Sequence, residues 1–348
     1  MKKSRIVIGI CLMVMLTMVV AVPAFAADKV IKLTVNDHNP PFTGPGQSII
    51  YWAEQVNEMS GGRLELTVHS GGALLSGEEA YRGVQTGVCD VAHYVVDSRE
   101  GFILNLVMAL PFMGWPEQHE AGKLYQKLLD SSKAMQAEWE GVTILSVMMM
   151  PPTHVHMAKK EVVTPDDLKG QKIMGAEFML NAAMQAAGAT PVHLDIGDMA
   201  PSLNTGLIDG IMNHFPVLNV FGALELCHYH TVFGDGGINM TPMFLIMNTK
   251  VLNSLPPDLK DLIIASGSIW YEKFKELDAA DQAKAQKDVK EWGHKMTYLT
   301  PEQIKVWYNL VKGPVHDQWI KDAEAKGRPG KEVYKKAMKL IEDYKKKK

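Results

Sequence analysis

The chain has 348 residues, of which 47% are hydrophobic and 22% are charged, and its formal net charge is −3. These values match ordinary globular proteins and exclude disordered, collagen-like and low-complexity classes. The length allows about two domains, each large enough to bury its own core. The slightly acidic charge offers no basic surface for nucleic acid, and three cysteines are too few for a disulfide scaffold.

The N-terminus has the three parts of a secretory signal peptide. Three basic residues lie within the first five positions, an apolar run covers 6–22, and Ala-Phe-Ala at 24–26 provides a small-x-small cleavage site. An uncleaved membrane anchor would need a longer run, and no later stretch is long and apolar enough to span a bilayer. We therefore predict a signal peptide at 1–26 and export to the periplasm, with Cys89 and Cys227 as buried free thiols.

Strands and helices alternate from residue 30 onward. Apolar residues alternate over 30–35 and 63–69, which predicts two strands, and helical spacing over 49–59 predicts a helix between them. A Pro/Gly-rich stretch at 39–46 is typical of a loop. The strand–helix–strand order favours a βαβ unit.

Two seven-residue segments resemble each other, VQTGVCD at 84–90 and LNTGLID at 203–209. In each, the glycine is suited to end a helix, and a buried strand follows. This repeat predicts two α/β lobes of related design, one on each side of about residue 150. A cleft between two such lobes is the preferred place for a small-molecule site.

The last ninety residues differ in character. Pro257 favours the start of a helix, a long charged helical stretch covers 271–292, and Thr300 with Pro301 predicts another helix start. The sequence contains no hydrolase elbow, zinc-protease motif or P-loop. We therefore expect neither catalysis nor a cofactor.

Two His-x-His pairs, at 154–156 and 228–230, leave one alternative open. On a strand, residues i and i+2 share a face, so each pair could supply two imidazoles to one metal ion. The third ligand would come from His93, His193 or His214. The competing interpretation is that these are ordinary hydrogen-bonding histidines.

Short motifs occur along the chain in a recognisable order. They include LPF at 110–112, VTPDDLKGQKI at 163–173, GATPV at 188–192, LNTGLIDG at 203–210 and LPPD at 255–258. In combination they resemble the DctP family of TRAP transporter solute-binding proteins. The resemblance covers nearly all of the chain after the signal peptide.

The resemblance implies a periplasmic receptor that closes on one small organic solute and passes it to the membrane permease subunits of a tripartite ATP-independent periplasmic (TRAP) transporter. It implies a type II-like solute-binding fold with two α/β lobes, mixed sheets flanked by helices, and long C-terminal helices. Lobe I would comprise 27–151 and about 239–280, and lobe II would comprise 152–238 and about 281–348. We expect a monomer that binds no nucleic acid.

One position departs from the family pattern. The family has an arginine immediately after the Lys-Ile at 172–173, where its guanidinium binds the solute carboxylate bidentately. This chain has Met174 there, and methionine donates no hydrogen bond. A second family arginine falls near Thr153 and His154, and neither is an arginine. Carboxylate binding through a family arginine therefore does not transfer to this chain.

Three kinds of solute stay open at this point. Family habit favours an anion, a carboxylate or a sulfonate, held by other donors. A neutral or cationic solute and a larger apolar solute are the alternatives. The candidate residues for an anion are Arg99, His154 and His156. Those for a neutral or cationic solute are Glu78, Tyr94 and Phe215. Those for a larger apolar solute are Met174, Phe178 and Trp115.

The resemblance also assigns a cleft residue, Asn213, which follows Asp-Gly at 209–210 at the family spacing. Its amide can both donate and accept hydrogen bonds. His93 and Tyr94 hold the matching place in the first lobe. His38 follows the first strand, at the carboxyl end where open α/β sheets place ligands. We expect these four side chains to bind the solute.

Overall fold

The computed structural model describes residues 29–96, 100–175 and 178–347, apart from the side chain of Phe178. The predicted signal peptide and Arg99 lie outside the described residues. The described strands are β1 (Ile31–Asn36), β2 (Leu64–His69), β3 (Val91–Val95), β4 (Val142–Met149), β5 (His154–Met157), β6 (Lys172–Gly175), β7 (Thr190–Val192), β8 (Gly210–Asn213), β9 (Tyr229–Val232), β10 (Pro242–Asn248) and β11 (Lys295–Tyr298).

Helices connect and cover these strands. They are α1 (Gly44–Met59), α2 (Ala80–Thr86), α3 (Gln118–Asp130), α4 (Lys133–Gln136), α5 (Phe178–Ala186), α6 (Met199–Thr205), α7 (Phe215–Val220), α8 (Thr249–Ser254), α9 (Pro257–Glu291), α10 (Pro301–Val311), α11 (Gln318–Ala325) and α12 (Gly330–Lys345). Short 3₁₀ segments occur at Leu104–Ala109, Ala137–Trp139, Pro165–Leu168 and Ile196–Asp198, and Lys312–Asp317 is π-helical.

The strands form two mixed sheets. The first has the order β2-β1-β3-β10-β4, with β1 parallel to both of its neighbours and β10 antiparallel to both of its own. The second has the order β11-β9-β5-β8-β6-β7 and also combines parallel and antiparallel pairs. This arrangement confirms the predicted two-lobed α/β fold with mixed sheets flanked by helices.

Both faces of the first sheet are buried. On one face, Leu33 and Val35 of β1 pack with Trp52 of α1 and Trp270 of α9. The other face belongs to a separate cluster that includes Tyr94 and is covered by α2 and α3. Because both faces are covered, strand side chains of either parity are core residues.

Helix α9 links the two lobes as a single element of 35 residues, about 52 Å long at 1.5 Å per residue. Its first half places Ile263 and Trp270 in the core against the first sheet. Its second half places Ala285 and Val289 in a core cluster of the second lobe. The sequence pattern indicated a helix start at Pro257 and a charged helical stretch over 271–292, and in the structure these form one continuous helix.

The predicted repeat has the same geometry in both lobes. Gly87 and Gly206 end α2 and α6 with φ values of 84° and 71°, in the left-handed region that glycine adopts without strain. The next strand, β3 or β8, starts immediately after the aspartate of each segment. The repeat is therefore a helix end followed by an aspartate and a strand.

The C-terminal helices contact both lobes. The indole N–H of Trp307 donates to the Val163 carbonyl at 3.1 Å, and that of Trp319 donates to the Ile103 carbonyl at 3.1 Å. Helix α12 packs on α3. The lobe boundaries near residues 151, 239 and 281 stay predictions, although β4 and β5, which flank the first of them, belong to different sheets.

Helix α1 starts five residues earlier than its apolar spacing predicts. The Thr43 side chain accepts a hydrogen bond from the backbone N–H of Gly46 at 3.2 Å and thereby caps the helix. Pro45 lies in the first turn, where a missing N–H costs nothing. Part of the stretch predicted as a Pro/Gly loop is therefore the first turn of α1.

Candidate functional site

A cleft of about 530 Å³ lies between the two lobes. Loops at strand ends and the long helix α9 supply most of its wall. Lining residues carried by the first sheet, its loops and α9 are His38, Asn39, Pro40, Thr43, Gly44, Pro45, Val95, Met150, Pro151, Thr241, Met243, Phe274, Asp278 and Asp281. Lining residues carried by the second sheet and its loops are Thr153, Asp195, Ile196, Gly197, Asn213, His214, Pro216, Val217, Val220 and Phe221.

Two of the residues nominated from the sequence line this cleft, His38 and Asn213. His38 follows the carboxyl end of β1, and Asn213 is the last residue of β8. They come from different sheets, so the fold brings together two positions that are far apart in the chain. Burial lowers the pKa of His38 to about 4, which leaves its imidazole neutral at pH 7.

His93 is in the core of the first lobe and does not line the cleft. The indole N–H of Trp270 donates to His93 Nε2 at 2.5 Å, so the ring proton is on Nδ1, which lies 2.9 Å from Asp37 Oδ1. Burial by itself raises the pKa of Asp37, but His93 and the Asn39 donors outweigh it and hold the pKa below its ordinary value. His93 therefore anchors β1 and β3 to α9.

Tyr94 is also a core residue, and it packs with Tyr81, Phe102 and Trp139. Counting from the repeat aspartate, Tyr94 matches Asn213, but β3 is one residue longer than β8. As a result Val95, the next residue, takes the place at the cleft. The sequence match located the right end of β3, and the residue that lines the cleft is the next one along the strand.

Four further nominated residues lie elsewhere. Met174 is buried in a second-lobe core cluster with Ile211, its partner in the sheet. His154 and Phe215 are buried and pack against each other, with ring centroids 5.7 Å apart. Glu78 is exposed, just before α2. None of the four lines the cleft.

Two nominated residues lie outside what the structure describes. Arg99 is not among the described residues, and Phe178 is described only as the first backbone position of α5. In the sequence, Arg99 comes four residues after Val95, which lines the cleft. It stays a candidate.

Asn213 and His214 present hydrogen-bond donors whose identity follows from their other bonds. The backbone N–H of His214 donates to Asn213 Oδ1 at 2.9 Å, which leaves the Nδ2 amide group for a solute. The backbone N–H of Val217 donates to His214 Nδ1 at 3.3 Å, so a neutral His214 carries its proton on Nε2. Burial lowers the pKa of His214 to about 4, and the ring is neutral at pH 7.

Carboxyl groups are the charged side chains of the described lining. Asp278 and Asp281 come from α9, and Asp195 comes from the loop before α6. No lysine or arginine lines the cleft within the described ranges. Burial raises the pKa of Asp278 to about 6 and also raises the pKa of Asp281. The described wall therefore combines neutral donors with acidic acceptors.

One histidine of each His-x-His pair belongs to a hydrogen-bonded chain of rings. Because β5 pairs with β9, His156 faces His230, and their Nδ1 atoms are 2.8 Å apart. His156 Nε2 donates to the Asn213 carbonyl at 3.0 Å, and His230 Nε2 lies 3.2 Å from His294 Nδ1. In the described part of the chain, no three or more His, Cys, Asp or Glu side chains are placed to hold a metal ion.

The two cysteines that follow the predicted signal peptide are buried free thiols, as predicted. Cys89 and Cys227 are buried and unpaired. Burial raises the pKa of each thiol to about 12, so both are protonated and unreactive at neutral pH.

From the sequence, His214 was considered only as a metal ligand and not as a solute-binding residue. Four other lining residues were not considered for any site: Phe221, Phe274, Asp278 and Asp281. For His214 a signal existed, since it directly follows Asn213 and precedes a proline typical of a first helical turn. The α9 residues gave no such signal, because a long charged helix presents many equivalent acidic positions.

Comparison with known proteins identifies the family. A profile of the DctP family, described as bacterial extracellular solute-binding protein, family 7, matches residues 37–322. The C4-dicarboxylate-binding periplasmic protein DctP of Rhodobacter capsulatus is 24% identical to this chain over 318 residues, which cover 87% of this chain and 90% of that protein.

Two crystal structures share the fold, each covering 91% of this chain and 99% of the other, with a TM-score of 0.79. One is a TRAP solute binding protein from Rhodoferax ferrireducens in complex with copurified benzoate, 21% identical. The other is a marine metagenome TRAP solute binding protein specific for aromatic acid ligands, in complex with 3-hydroxybenzoate, 24% identical.

DctP proteins are periplasmic and act as transport receptors, not as enzymes. No helix within the described ranges has the length and apolar character needed to cross a membrane. The family profile extends over most of the sequence. The chain therefore belongs to the DctP family of bacterial extracellular solute-binding proteins, and it is a solute receptor of a TRAP transporter.

Proposed function

We propose that this receptor binds a small organic acid in the inter-lobe cleft and that Asn213 and His214 hold its carboxylate. The observation that carries the proposal is the pair of oriented donors, Asn213 Nδ2 and His214 Nε2–H, on adjacent residues of the cleft wall. A carboxylate accepts hydrogen bonds only, so two neighbouring donors match its two oxygens.

Neutral donors can replace the family arginine because a carboxylate is stabilised by hydrogen bonds as well as by an opposite charge. A carboxylate that accepts two or three N–H bonds is strongly held in its ionised form. Met174, at the arginine position, is buried in the core and leaves the task to residues of neighbouring loops. Arg99 is a second candidate for the same oxygen atoms.

The rest of the solute would contact apolar side chains. Phe221, Val217 and Phe274 line the cleft beside the polar residues. A wall of this kind, apolar with a few oriented polar groups, is typical of small-molecule sites. Benzoate and 3-hydroxybenzoate, the acids bound by the two structural neighbours, have a planar apolar body and one carboxylate. Aromatic and branched aliphatic acids are therefore the first solutes to test.

The signal peptide at 1–26 would export the receptor to the periplasm, and the loaded receptor would deliver the solute to the TRAP permease subunits as a monomer. Export is tested by the N-terminal sequence of the mature protein, which we expect to start at Ala27. A mature protein that keeps residues 1–26 would contradict this assignment.

Calorimetry with benzoate and 3-hydroxybenzoate tests the carboxylate site. We expect Asn213→Ala to weaken the tighter-binding acid by about 1–3 kcal/mol, the cost of leaving a buried group unpaired. Asn253→Ala, an exposed asparagine on α8, is the matched control and should bind like the parent protein. Arg99→Gln measures how much Arg99 contributes to the binding free energy of the acid. If Asn213→Ala binds both acids as the parent does, the carboxylate is held elsewhere.

A further inference from the structure

The acidic groups of the cleft have no role in holding a carboxylate. Asp195, Asp278 and Asp281 all line it, and a solute carboxylate would add a fourth negative charge to the same space. Like charges in a cleft that closes and excludes water repel strongly, because the local dielectric falls. A plain carboxylate is therefore a poor match for this part of the wall.

Asp278 is the most deeply placed of the three, with 5% of its surface exposed. Its Oδ2 accepts a hydrogen bond from Gln282 Nε2 at 3.2 Å, and Gln118 of α3 supplies a second amide contact. No lysine or arginine pairs with it among the described residues. Lys284, six residues further along α9, is engaged with Asp288 at 2.5 Å.

Burying a carboxylate without a cation is costly, which is why burial raises the pKa of Asp278 to about 6, and a nearby positive charge would lower that cost. The described protein supplies only neutral amides to Asp278, and the cleft is where a solute arrives. Asp281 lies on the same face of α9, three residues further on, and its Oδ2 is close to Gly44 at the start of α1. Two adjacent carboxyl groups in a solute cleft form a complete acceptor set for an ammonium group, which has three donors.

We propose that the solute is zwitterionic, an amino acid type of molecule, whose ammonium group binds Asp278 and Asp281 while its carboxylate binds Asn213 and His214. The inference rests on the proposed function, because it assigns the second end of a solute whose first end is the carboxylate. It names a solute class for the cleft and gives the two α9 aspartates a role as specificity-determining residues.

Three probes that share one hydrocarbon skeleton separate the two ends. L-Phenylalanine carries both charged groups, 3-phenylpropanoate carries only the carboxylate, and 2-phenylethylamine carries only the ammonium group. By calorimetry at pH 7.5, we expect L-phenylalanine to bind at least tenfold more tightly than either single-ended probe. Equal or tighter binding of 3-phenylpropanoate would overturn the zwitterion proposal and leave the carboxylate site intact.

Asp278→Asn provides the second measurement, with Asp261→Asn, an exposed aspartate on the same helix, as its control. We expect Asp278→Asn to lower the affinity for L-phenylalanine tenfold or more. The affinity for 3-phenylpropanoate should stay unchanged or rise. Unchanged binding of L-phenylalanine would remove Asp278 from the site. If none of the three probes binds, or if Asn213→Ala changes none of them, the zwitterion proposal and the carboxylate site both fail.

The pH dependence adds a readout that a purely structural role of Asp278 would not change. The other titratable groups of the described lining are Asp195, Asp281, His38 and His214, and Asp281 is the charged group that acts on Asp278. Between pH 5 and 7.5 Asp278 ionises and both histidines stay neutral. Affinity for L-phenylalanine should rise over this pH range, and affinity for 3-phenylpropanoate should fall. In Asp278→Asn, the affinities for both probes should change little with pH. A parallel fall for both probes would contradict the ammonium site.

Discussion

Asp90 and Asp209 make the same pair of contacts in the two lobes. Asp90 Oδ2 accepts a hydrogen bond from the backbone N–H of Thr34 at 2.7 Å, and Asp209 Oδ2 accepts one from Lys172 at 2.8 Å. The backbone N–H of each aspartate donates in return to the carbonyl of the same residue, at 2.9 Å and 2.7 Å. The repeated sequence segment is thus a clamp between the helix end and the neighbouring strand.

Removal of one clamp should destabilise its lobe. We expect Asp209→Ala to lower the free energy of unfolding by about 1–3 kcal/mol, because the Lys172 N–H loses its acceptor at the start of β6. Urea denaturation monitored by circular dichroism measures this. Asp130→Ala, exposed on α3, should change stability by less than about 0.5 kcal/mol. If both variants change the free energy of unfolding equally, the clamp does not stabilise the lobe.

His214 has two roles that one substitution can separate. Its Nδ1 caps α7, and its Nε2–H is assigned to the solute. Asparagine is also a good helix cap, so His214→Asn should keep the melting temperature within a few degrees and weaken acid binding. His214→Ala should weaken acid binding and also remove the helix cap, which lowers the free energy of unfolding by about 0.5–2 kcal/mol. Thermal unfolding and calorimetry on both variants give the comparison, and parent-like binding by His214→Asn would exclude the donor role.

Helix α9 approaches β4 so closely that only glycine fits at residue 267. A Cβ atom there would lie 2.3 Å from the Leu145 carbonyl oxygen, which belongs to backbone and cannot rotate away. Alanine is worth about 1 kcal/mol more than glycine in an open helix, but the clash outweighs this gain. We expect Gly267→Ala to lower stability by about 1–3 kcal/mol in urea denaturation.

The control for that substitution is another buried helical glycine. At Gly122 of α3 an added Cβ would be 3.8 Å from Met149 Cγ, an ordinary contact. Gly122→Ala should therefore be neutral or stabilising. A loss at Gly122 as large as that at Gly267 would mean that helix–strand distance does not decide the outcome.

Stability should fall as the solution becomes acidic. Burial lowers the pKa of His154, His156, His214 and His230 to about 3, 3, 4 and 2. An unfolded histidine titrates near pH 6.5, so below that pH the unfolded chain binds more protons than the folded one. Each buried histidine then removes up to about 1.4 kcal/mol per pH unit, and the stability is fully present above pH 6.5.

Asp278 opposes this trend, because its raised pKa of about 6 makes the folded chain bind the extra proton between pH 4 and 6. Four histidines outweigh one aspartate, so the net slope stays positive with pH. Urea denaturation at pH 7.5, 6.5 and 5.5 measures the slope, and His214→Asn should reduce it. A flat profile between pH 6.5 and 5.5 would contradict neutral burial of these rings.

Solute should compact the molecule. The cleft wall comes from both sheets, so a bound solute can contact both lobes and draw them together. A solute shifts the equilibrium toward closure only through contacts made in the closed state. Small-angle scattering at saturation with the tightest-binding acid should show a smaller radius of gyration. An unchanged radius at saturation would exclude hinge closure.

The sequence alone determined the local structure well. Thr300 with Gln303 at the start of α10 forms a capping box, and Gly87 and Gly206 end their helices in the left-handed region. These features depend on a few neighbouring residues, so a short segment encodes them. The repeat, the two-lobed α/β fold and the family followed from such segments in combination.

The tertiary structure alone decided which side chains face the cleft. Both faces of the first sheet are buried, so period-two alternation did not distinguish a core residue such as Tyr94 from a cleft residue such as Val95. Asp278 and Asn213 line the same cleft only because α9 passes both lobes, and no local pattern encodes that path. Local hydrogen-bonding preferences act over a few residues, whereas a binding site is assembled by packing between distant parts of the chain.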